Sequence, residues 1–220
     1  MISKRFSRDE IIAKFHDGQT IMTGGFAFHG CPHELFDCLL ASGAKHLTNI
    51  ALDASAARLM HLGIFDKVII AHAGSVPENL ELMASGRIEV EFCPMGTIAE
   101  RMRAGGVGLG GILVKTGLGT DAQKGKELIE LNGETYLLES ALRADVSLVR
   151  AATADYYGNL TYAGTARNSN PIVAMAGDLT IVQTDRFVEL DSIPPESIVT
   201  PGVFVDMILD PEQEGGAYHG

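Results

Sequence analysis

The sequence predicts an α/β domain: a mostly parallel sheet sandwiched by helices, with added antiparallel strands. Three observations predict it. Through the first half, segments of helical period alternate with short apolar runs across brief Gly/Pro joints, the order that builds parallel sheets. The run DKVIIAHA at 66–73 is almost continuously apolar, as in a strand buried on both faces. In the second half, Asn132-Gly133 stands between the apolar segments KELIEL and ETYLLE, a strong hairpin signal.

The elements follow in order. Ser7 and Glu10 form a capping box opening a helix with Ile11, Ile12 and Phe15 on one face, which Gly18 stops. Thr20 to Thr23 is a short strand. Pro32 starts the next helix, Leu35, Phe36, Leu39 and Leu40 form its apolar stripe, and Gly43 ends it. Leu47 to Leu52 is strand-like and Ser55 to Leu62 helical. After the 66–73 strand, PENLELMASG at 77–86 repeats the Pro-start, Gly-stop pattern, and IEVEFC at 88–93 alternates as a strand does. Thr97 and Glu100 are spaced as a second capping box, for a helix ending near Ala104. Beyond the hairpin, strands are expected over Asp145 to Arg150, Asn159 to Tyr162 and Leu179 to Gln183, extending the parallel core with antiparallel strands. One domain is expected over 1–210, followed by a polar tail, PEQEGGAYHG, at 211–220.

Composition narrows the function classes. The 220 residues suffice to bury roughly 70% of the unfolded surface, so a sizeable core is expected. A formal net charge of −11, with no run of Lys or Arg, argues against nucleic-acid or anionic-membrane partners. No apolar stretch reaches leader or membrane-spanning length, and a cytoplasmic location is expected. Cys31, Cys38 and Cys93 form no C-x-x-C pair, which fits reduced thiols.

Two glycine loops could meet a ligand. TGGFAFHG at 23–30 joins a strand to a helix start, where open α/β sheets bind ligands. Gly24 and Gly25 either let backbone N–H groups approach an anion beside the Pro32 helix start or merely turn the chain. GGVGLGG at 105–111 holds a literal G-x-G-x-x-G at Gly106, Gly108 and Gly111, but it follows a helix instead of a strand, so the dinucleotide reading fails. A glycine-lined wall or lid fits it better.

Catalytic candidates are sparse. His29, Cys31 and His33 are spaced as H-x-C-x-H without a further ligand pair, and Cys31 has no base assigned to it, so no metal site or thiol nucleophile is expected. Glu78-Asn79 opens a helix, where an acidic residue complements the dipole. Arg143, Arg150 and Arg167 are read as salt-bridge partners before ligand contacts. No Ser/His/Asp order, no G-x-S-x-G and no phosphate-binding G-x-x-x-x-G-K is present.

DGQTIMTGGFAFHGCP at 17–32 resembles the signature of family I coenzyme A transferase alpha subunits. GTIAERMRAGGVGLGG (96–111), KTGLGT (115–120), LRADVSLVRA (142–151), GNLTY (158–162), ARNSNP (166–171) and IVTPGVFVD (198–206) resemble successive blocks of the same family, in the same order. The resemblance implies an open α/β fold shared with sugar-phosphate isomerases, and a transferase moving coenzyme A between short-chain acids such as acetate, acetoacetate or butyrate. It implies ping-pong exchange through a glutamyl-CoA thioester, with the glutamate in a Ser-Glu-Asn-Gly stretch of a beta subunit, in an α2β2 assembly. This sequence has no such stretch, so no catalytic residue is expected in it.

The same resemblance implies that Gly24, Gly25, Phe26, Ala27, Phe28, His29 and Gly30 bind coenzyme A, as acyl-CoA substrate and not as a resident cofactor. Met95, Gly106, Gly108 and Gly110 are expected in the pocket wall. Met95 stands where the family commonly has Gln, Lys115 where Pro is common, and Thr23 where an aliphatic residue is usual. A softer wall at Met95 would favour an aliphatic acid over an oxo-acid. A 3-oxoadipate or other oxo-acid transferase is the nearest alternative. A sugar-phosphate isomerase would need acid/base carboxylates and a phosphate-binding Lys. A non-catalytic sugar-phosphate-sensing module of the same fold is the alternative of a different class, which a fused DNA-binding segment would support.

Overall fold

A computed structural model describes residues 4–27, 29–53, 60, 62–73 and 77–210. Phe28, most of the helix expected over Ser55–Leu62, and the 211–220 tail lie outside the described residues.

The first half follows the expected order. Strand β1 (Arg5–Phe6) leads into α1 (Arg8–Ile12), where the Ser7–Glu10 capping box is present in full. Then come β2 (Thr20–Thr23), α2 (His33–Ser42), β3 (Leu47–Asp53), β4 (Phe65–His72), α3 (Pro77–Ala84), β5 (Glu89–Phe92) and α4 (Met95–Gly106). Gly43 caps α2 at φ 74°, the left-handed conformation expected of a helix-stopping glycine.

In the second half, β6 (Gly111–Val114), β7 (Leu128–Leu131) and β8 (Glu134–Ser140) form a small antiparallel sheet. Asn132 and Gly133 both take positive φ, 53° and 76°, as a two-residue hairpin turn requires. Strands β9 (Ala144–Ala151), β10 (Thr153–Asp155), β11 (Leu160–Thr161), helix α5 (Asn170–Ala176), β12 (Gly177–Thr184), β13 (Phe187–Val188) and β14 (Met207–Leu209) complete the chain.

The main sheet has the order β1-β14-β12-β9-β2-β3-β4-β5, and its pairings are parallel throughout. Side chains alternate between its faces, as a period of two dictates. Ile21, Val68, Ile70, Leu148 and Ile181 pack with Leu35, Phe36 and Leu39 of α2 on one face. Met22, Ile69, Val149 and Val182 pack with Ile98 and Met102 of α4 and Val173 of α5 on the other.

Three expectations are corrected. The strands at 145–150 and 179–183 do not extend the core antiparallel; β9 and β12 lie inside the parallel sheet, and the antiparallel strands form sheets of their own. Their apolar runs suit burial on both faces, which only a central position supplies. The first helix stops at Ile12, well short of Gly18. Thr97 and Glu100 form no capping box: α4 begins directly after Pro94, leaving Thr97 inside it with a buried hydroxyl that has no partner.

Helix α4 also absorbs the start of the second glycine loop. A Cβ on Gly105 would lie 1.9 Å from the Leu142 carbonyl oxygen, and one on Gly106 would lie 2.7 Å from Met175 Cβ. Both glycines let α4 approach neighbouring backbone closely. Alanine ordinarily gains about 1 kcal/mol over glycine within a helix, so Gly105→Ala tests this packing with the sign reversed: a lower urea midpoint is expected, and a raised midpoint overturns it.

Candidate functional site

All strands of the main sheet run the same way, so their carboxyl ends share one edge. Strand order runs outward from β2 through β3, β4 and β5 on one side, and from β9 through β12 and β14 on the other. The reversal therefore falls between β2 and β9, the crevice where open α/β sheets receive ligands. The 24–30 loop leaves β2 at that crevice.

The loop's backbone is fully engaged with protein along its first four residues. Gly24 N donates to the Leu148 carbonyl at 2.9 Å, and Gly25 N to Ser169 Oγ at 3.0 Å. Phe26 and His29 exchange N–H to carbonyl bonds at 3.0 Å each, and Ala27 N donates to Asp53 Oδ2 at 2.5 Å. These donors are committed, so of the two readings of Gly24 and Gly25 the one that has their N–H groups approach an anion is not favoured. The glycines answer a different constraint: a Cβ on Gly24 would lie 2.0 Å from Asn170 Oδ1, and one on Gly25 would lie 2.7 Å from Cys31 Sγ. Gly25 (φ 100°), Ala27 (φ 54°) and Gly30 (φ 73°) all take left-handed backbone.

What the loop presents outward is side chain. Phe26 and His29 are exposed. His29 and Gly30 line a cavity of about 220 Å³ with Arg150, Ala151, Ala152, Ala163, Thr165, Ala166 and Asp185. Four of its lining residues are alanine, and across it Arg150 pairs with Asp185 at 2.8 Å. Arg143 pairs likewise with Asp178, on the surface at the opposite strand ends.

A second cavity, of about 380 Å³, opens at the end of β5 and is lined by Ala71, Phe92, Cys93, Pro94, Asp121 and Ala122. Met95, half-exposed, is the next residue, the first of α4. Burial pushes the Cys93 thiol above its ordinary range against the opposing influence of Arg101, so it is a protonated wall and not a nucleophile. Of the expected wall glycines, Gly106 packs on Met175, Gly108 is exposed at φ 78°, and Gly110 lines a third cavity of about 610 Å³.

That third cavity surrounds an ion-pair network joining the antiparallel sheet to the main one. Arg101 donates to Glu91 at 2.7 Å and to the Ser140 carbonyl at 2.8 Å, and stands 3.8 Å from Glu139, which Lys126 pairs at 2.5 Å. Burial alone would raise the Glu91 carboxyl; the hydrogen bond and charge of Arg101, with Lys67 and Lys126 behind them, outweigh it and hold the carboxyl below its ordinary range.

Sequence reasoning found the loop but missed what grips it: Asp53, Ser169 and Asn170, all buried. Two of the three sit in the ARNSNP block, the one signal that could have pointed to them. Glu78 lies in the first turn of α3, as expected of a dipole partner. Among the described residues, no group of three His, Cys, Asp or Glu is placed to hold a metal ion. No helix among them is long and apolar enough to cross a membrane.

Comparison with known proteins places this geometry. The model of the coenzyme A transferase family matches residues 7–210. The chain is 44% identical to the alpha chain of acetate CoA-transferase from Escherichia coli (strain K12), covering 95% of this chain and 97% of that one. It is 41% identical to the alpha chain of the acetoacetyl-CoA:acetate/butyrate CoA transferase of Clostridium acetobutylicum (95% and 98%), and 42% identical to one of the subunits of 3-oxoadipate CoA-transferase from Pseudomonas putida (95% and 94%). Its fold is similar to that of glutaconate coenzyme A-transferase from Acidaminococcus fermentans, with a TM-score of 0.84 at 20% identity, covering 94% of this chain and 75% of that one.

The Arg101 network makes its own prediction. Arg101→Met removes the buried cation between half-buried Glu91 and buried Glu139, leaving them Lys67 and Lys126 as charge partners, a loss expected at about 1.5–3 kcal/mol near neutral pH. Glu91 is depressed in the folded chain, so its stabilisation is present above the ordinary carboxylate pKa and fades as pH falls through the lowered value. The deficit of the variant should therefore be largest near about pH 7 and narrow toward about pH 4, measured by urea midpoints; a pH-independent deficit contradicts the network.

Proposed function

This chain belongs to the coenzyme A transferase family, and on that premise we propose that it is the alpha subunit of a short-chain acyl-CoA:carboxylate CoA-transferase acting on acetate, acetoacetate or butyrate. One observation carries the reading: the 24–30 loop and its cavity sit at the switch between β2 and β9, with the loop hydrogen-bonded to the protein from Gly24 to Ala27 and the side chains of Phe26 and His29 exposed. A phosphate cradle would need free N–H groups; this loop instead offers a shaped wall to a long, mostly uncharged arm such as that of coenzyme A. Residues 24–30, with Phe26 and His29 exposed among those described, are assigned to that contact. Coenzyme A enters as substrate, with no resident cofactor or metal.

The nucleophile belongs to a partner subunit. Its glutamate carboxylate attacks the thioester carbonyl, forming an acyl-glutamyl anhydride and releasing coenzyme A as thiolate. The thiolate attacks the glutamyl carbonyl, forming the enzyme thioester and freeing the first carboxylate. The acceptor acid then runs both steps in reverse and leaves as acyl-CoA. Splitting one exchange in this way gives ping-pong kinetics. The alpha chain contributes walls that orient the thioester and exclude water, consistent with the scarcity of unpaired charge around its cavities.

The acids are assigned from the second cavity. Phe92, Pro94 and Ala71, with Met95 beside them, make an apolar wall suited to an aliphatic chain. A 3-oxoadipate-type transferase is the second reading, since a relative of that name is equally similar. An acid carrying a further carboxylate needs a cation at its far end, and Arg101, the nearest buried one, is already paired.

The test is co-expression with a neighbouring chain bearing Ser-Glu-Asn-Gly, followed by CoA-exchange kinetics over acetate, acetoacetate, butyrate and 3-oxoadipate. Parallel-line kinetics with the short acids are expected; full-rate exchange by the isolated chain overturns the two-chain mechanism. In the same complex, Met95→Gln should lower the butyrate-to-acetoacetate ratio of kcat/KM by about tenfold, the scale of one altered pocket contact. An unchanged ratio removes Met95 from the acyl wall.

A further inference from the structure

We infer that Ser169 and Asn170 are positioning residues for coenzyme A: they hold the 24–30 loop in a backbone shape it would not keep unaided. The inference rests on the reading of that loop as a coenzyme A contact.

Both side chains are completely buried. Ser169 Oγ lies 3.0 Å from Gly25 N and 3.0 Å from Gly25 O, accepting from one and placed to donate to the other; Asn168 Oδ1 stands 2.9 Å away. Asn170 Oδ1 accepts from Arg150 N at 2.9 Å, while Nδ2 donates to the Gly30 carbonyl at 3.0 Å and the Ala166 carbonyl at 2.8 Å. One amide thus joins the far end of the loop, the end of β9 and the 3-10 turn Gly164–Arg167.

The serine is the more telling of the two. It occupies the N-cap of α5, where a serine hydroxyl ordinarily accepts from its own helix, yet it makes no such bond. The hydroxyl serves a residue 144 positions away in sequence. A local stabilisation has been exchanged for a grip on Gly25, the most strongly left-handed residue of the loop at φ 100°. Between Gly25 and Gly30, Ala27 adds a left-handed backbone that a side chain disfavours. Such strain persists only where surrounding bonds over-determine it.

The grip also shapes the cavity. Gly30, Arg150 and Ala166, all bonded through backbone to Asn170, are three of the residues lining the 220 Å³ space beside the loop. Loosening the clamp loosens loop and wall together. The 380 Å³ cavity at the end of β5, assigned to the acid, shares no residue with this clamp. An effect on acyl-CoA without an effect on the free acid is therefore the signature of positioning.

The experiment uses the complex with the partner subunit, acetyl-CoA as donor and butyrate as acceptor. Ser169→Ala removes the Gly25 contacts without adding volume. Asn170→Asp keeps the acceptor toward Arg150 and sets a carboxylate oxygen against the Gly30 and Ala166 carbonyls. In each variant KM for acetyl-CoA should rise about five- to tenfold, the scale of one lost buried hydrogen bond, with kcat and KM for butyrate little changed. Unchanged KM for acetyl-CoA with only a lower melting temperature overturns the inference, as does an equal rise in both KM values. Hydrogen exchange of residues 24–30 in the wild-type complex, with and without coenzyme A, separates the two levels. Protection by coenzyme A with unaltered variant kinetics refutes the clamp alone, whereas no protection refutes the loop assignment beneath it.

Discussion

The pairing of β2 with β9 is the constraint on which the rest of the molecule depends. Ile21 faces Val146, Met22 faces Ser147 and Thr23 faces Leu148, joining strands from the two halves of the chain in parallel register. The ladder continues one residue past β2, where Gly24 N donates to the Leu148 carbonyl. Without this seam, β2 to β5 and β9, β12 and β14 would be two half-sheets, each with an unpaired edge and part of its apolar faces in water. With it, both layers of helices close over one continuous sheet. Parallel pairing between distant segments costs chain entropy before any contact rewards it, so the core on both faces must be large; Leu148, Val149, Ile181 and Val182 at its centre are completely buried.

The seam also decides where polarity can be buried. Away from the carboxyl edge the sheet interior is mostly apolar, with Asn49, Ser147 and Thr180 as buried polar exceptions. At that edge Asp53, Ser169 and Asn170 are buried with their polar atoms aimed at one six-residue stretch of backbone. Burying such groups is tolerable because each finds partners, and the reward is a loop with little freedom left. A loop that has already lost its entropy loses little more on binding a ligand. The outer strand β5 uses polarity differently. Arg101, Glu91, Glu139 and Lys126 fasten the small antiparallel sheet to the end of the main one, and their charges cancel among themselves. That arrangement anchors; it leaves nothing over to recognise an anion.

Much of the fold was legible in the sequence, and for a common reason. The Ser7–Glu10 box, the Gly43 stop and the Asn132-Gly133 turn are all satisfied within a few residues of themselves, so their chemistry can be read from the local string. Where a local rule misled, packing against distant segments or a competing local signal was responsible. Thr97 has the spacing of a cap, but Pro94 begins the helix earlier and the packing of Ile98 and Met102 against the sheet leaves Thr97 inside it. The strands at 144–151 and 177–184 were recognisable as strands, yet nothing in their residues says that they flank one another at the centre of a parallel sheet and not at its margin.

The candidate site shows the division most plainly. By itself the sequence determined that a glycine-bearing loop follows β2, that the ordered blocks resemble a coenzyme A transferase subunit, and that no recognised nucleophile or phosphate motif is present. Only the tertiary structure decided why Gly24 must be glycine: Asn170, 146 positions along, fills the space a side chain would need, a fact about contact between distant segments that no local pattern encodes. It likewise decided that the loop's N–H groups face inward to Leu148, Ser169 and Asp53, because hydrogen-bond partners are chosen by position in space after the sheet has closed.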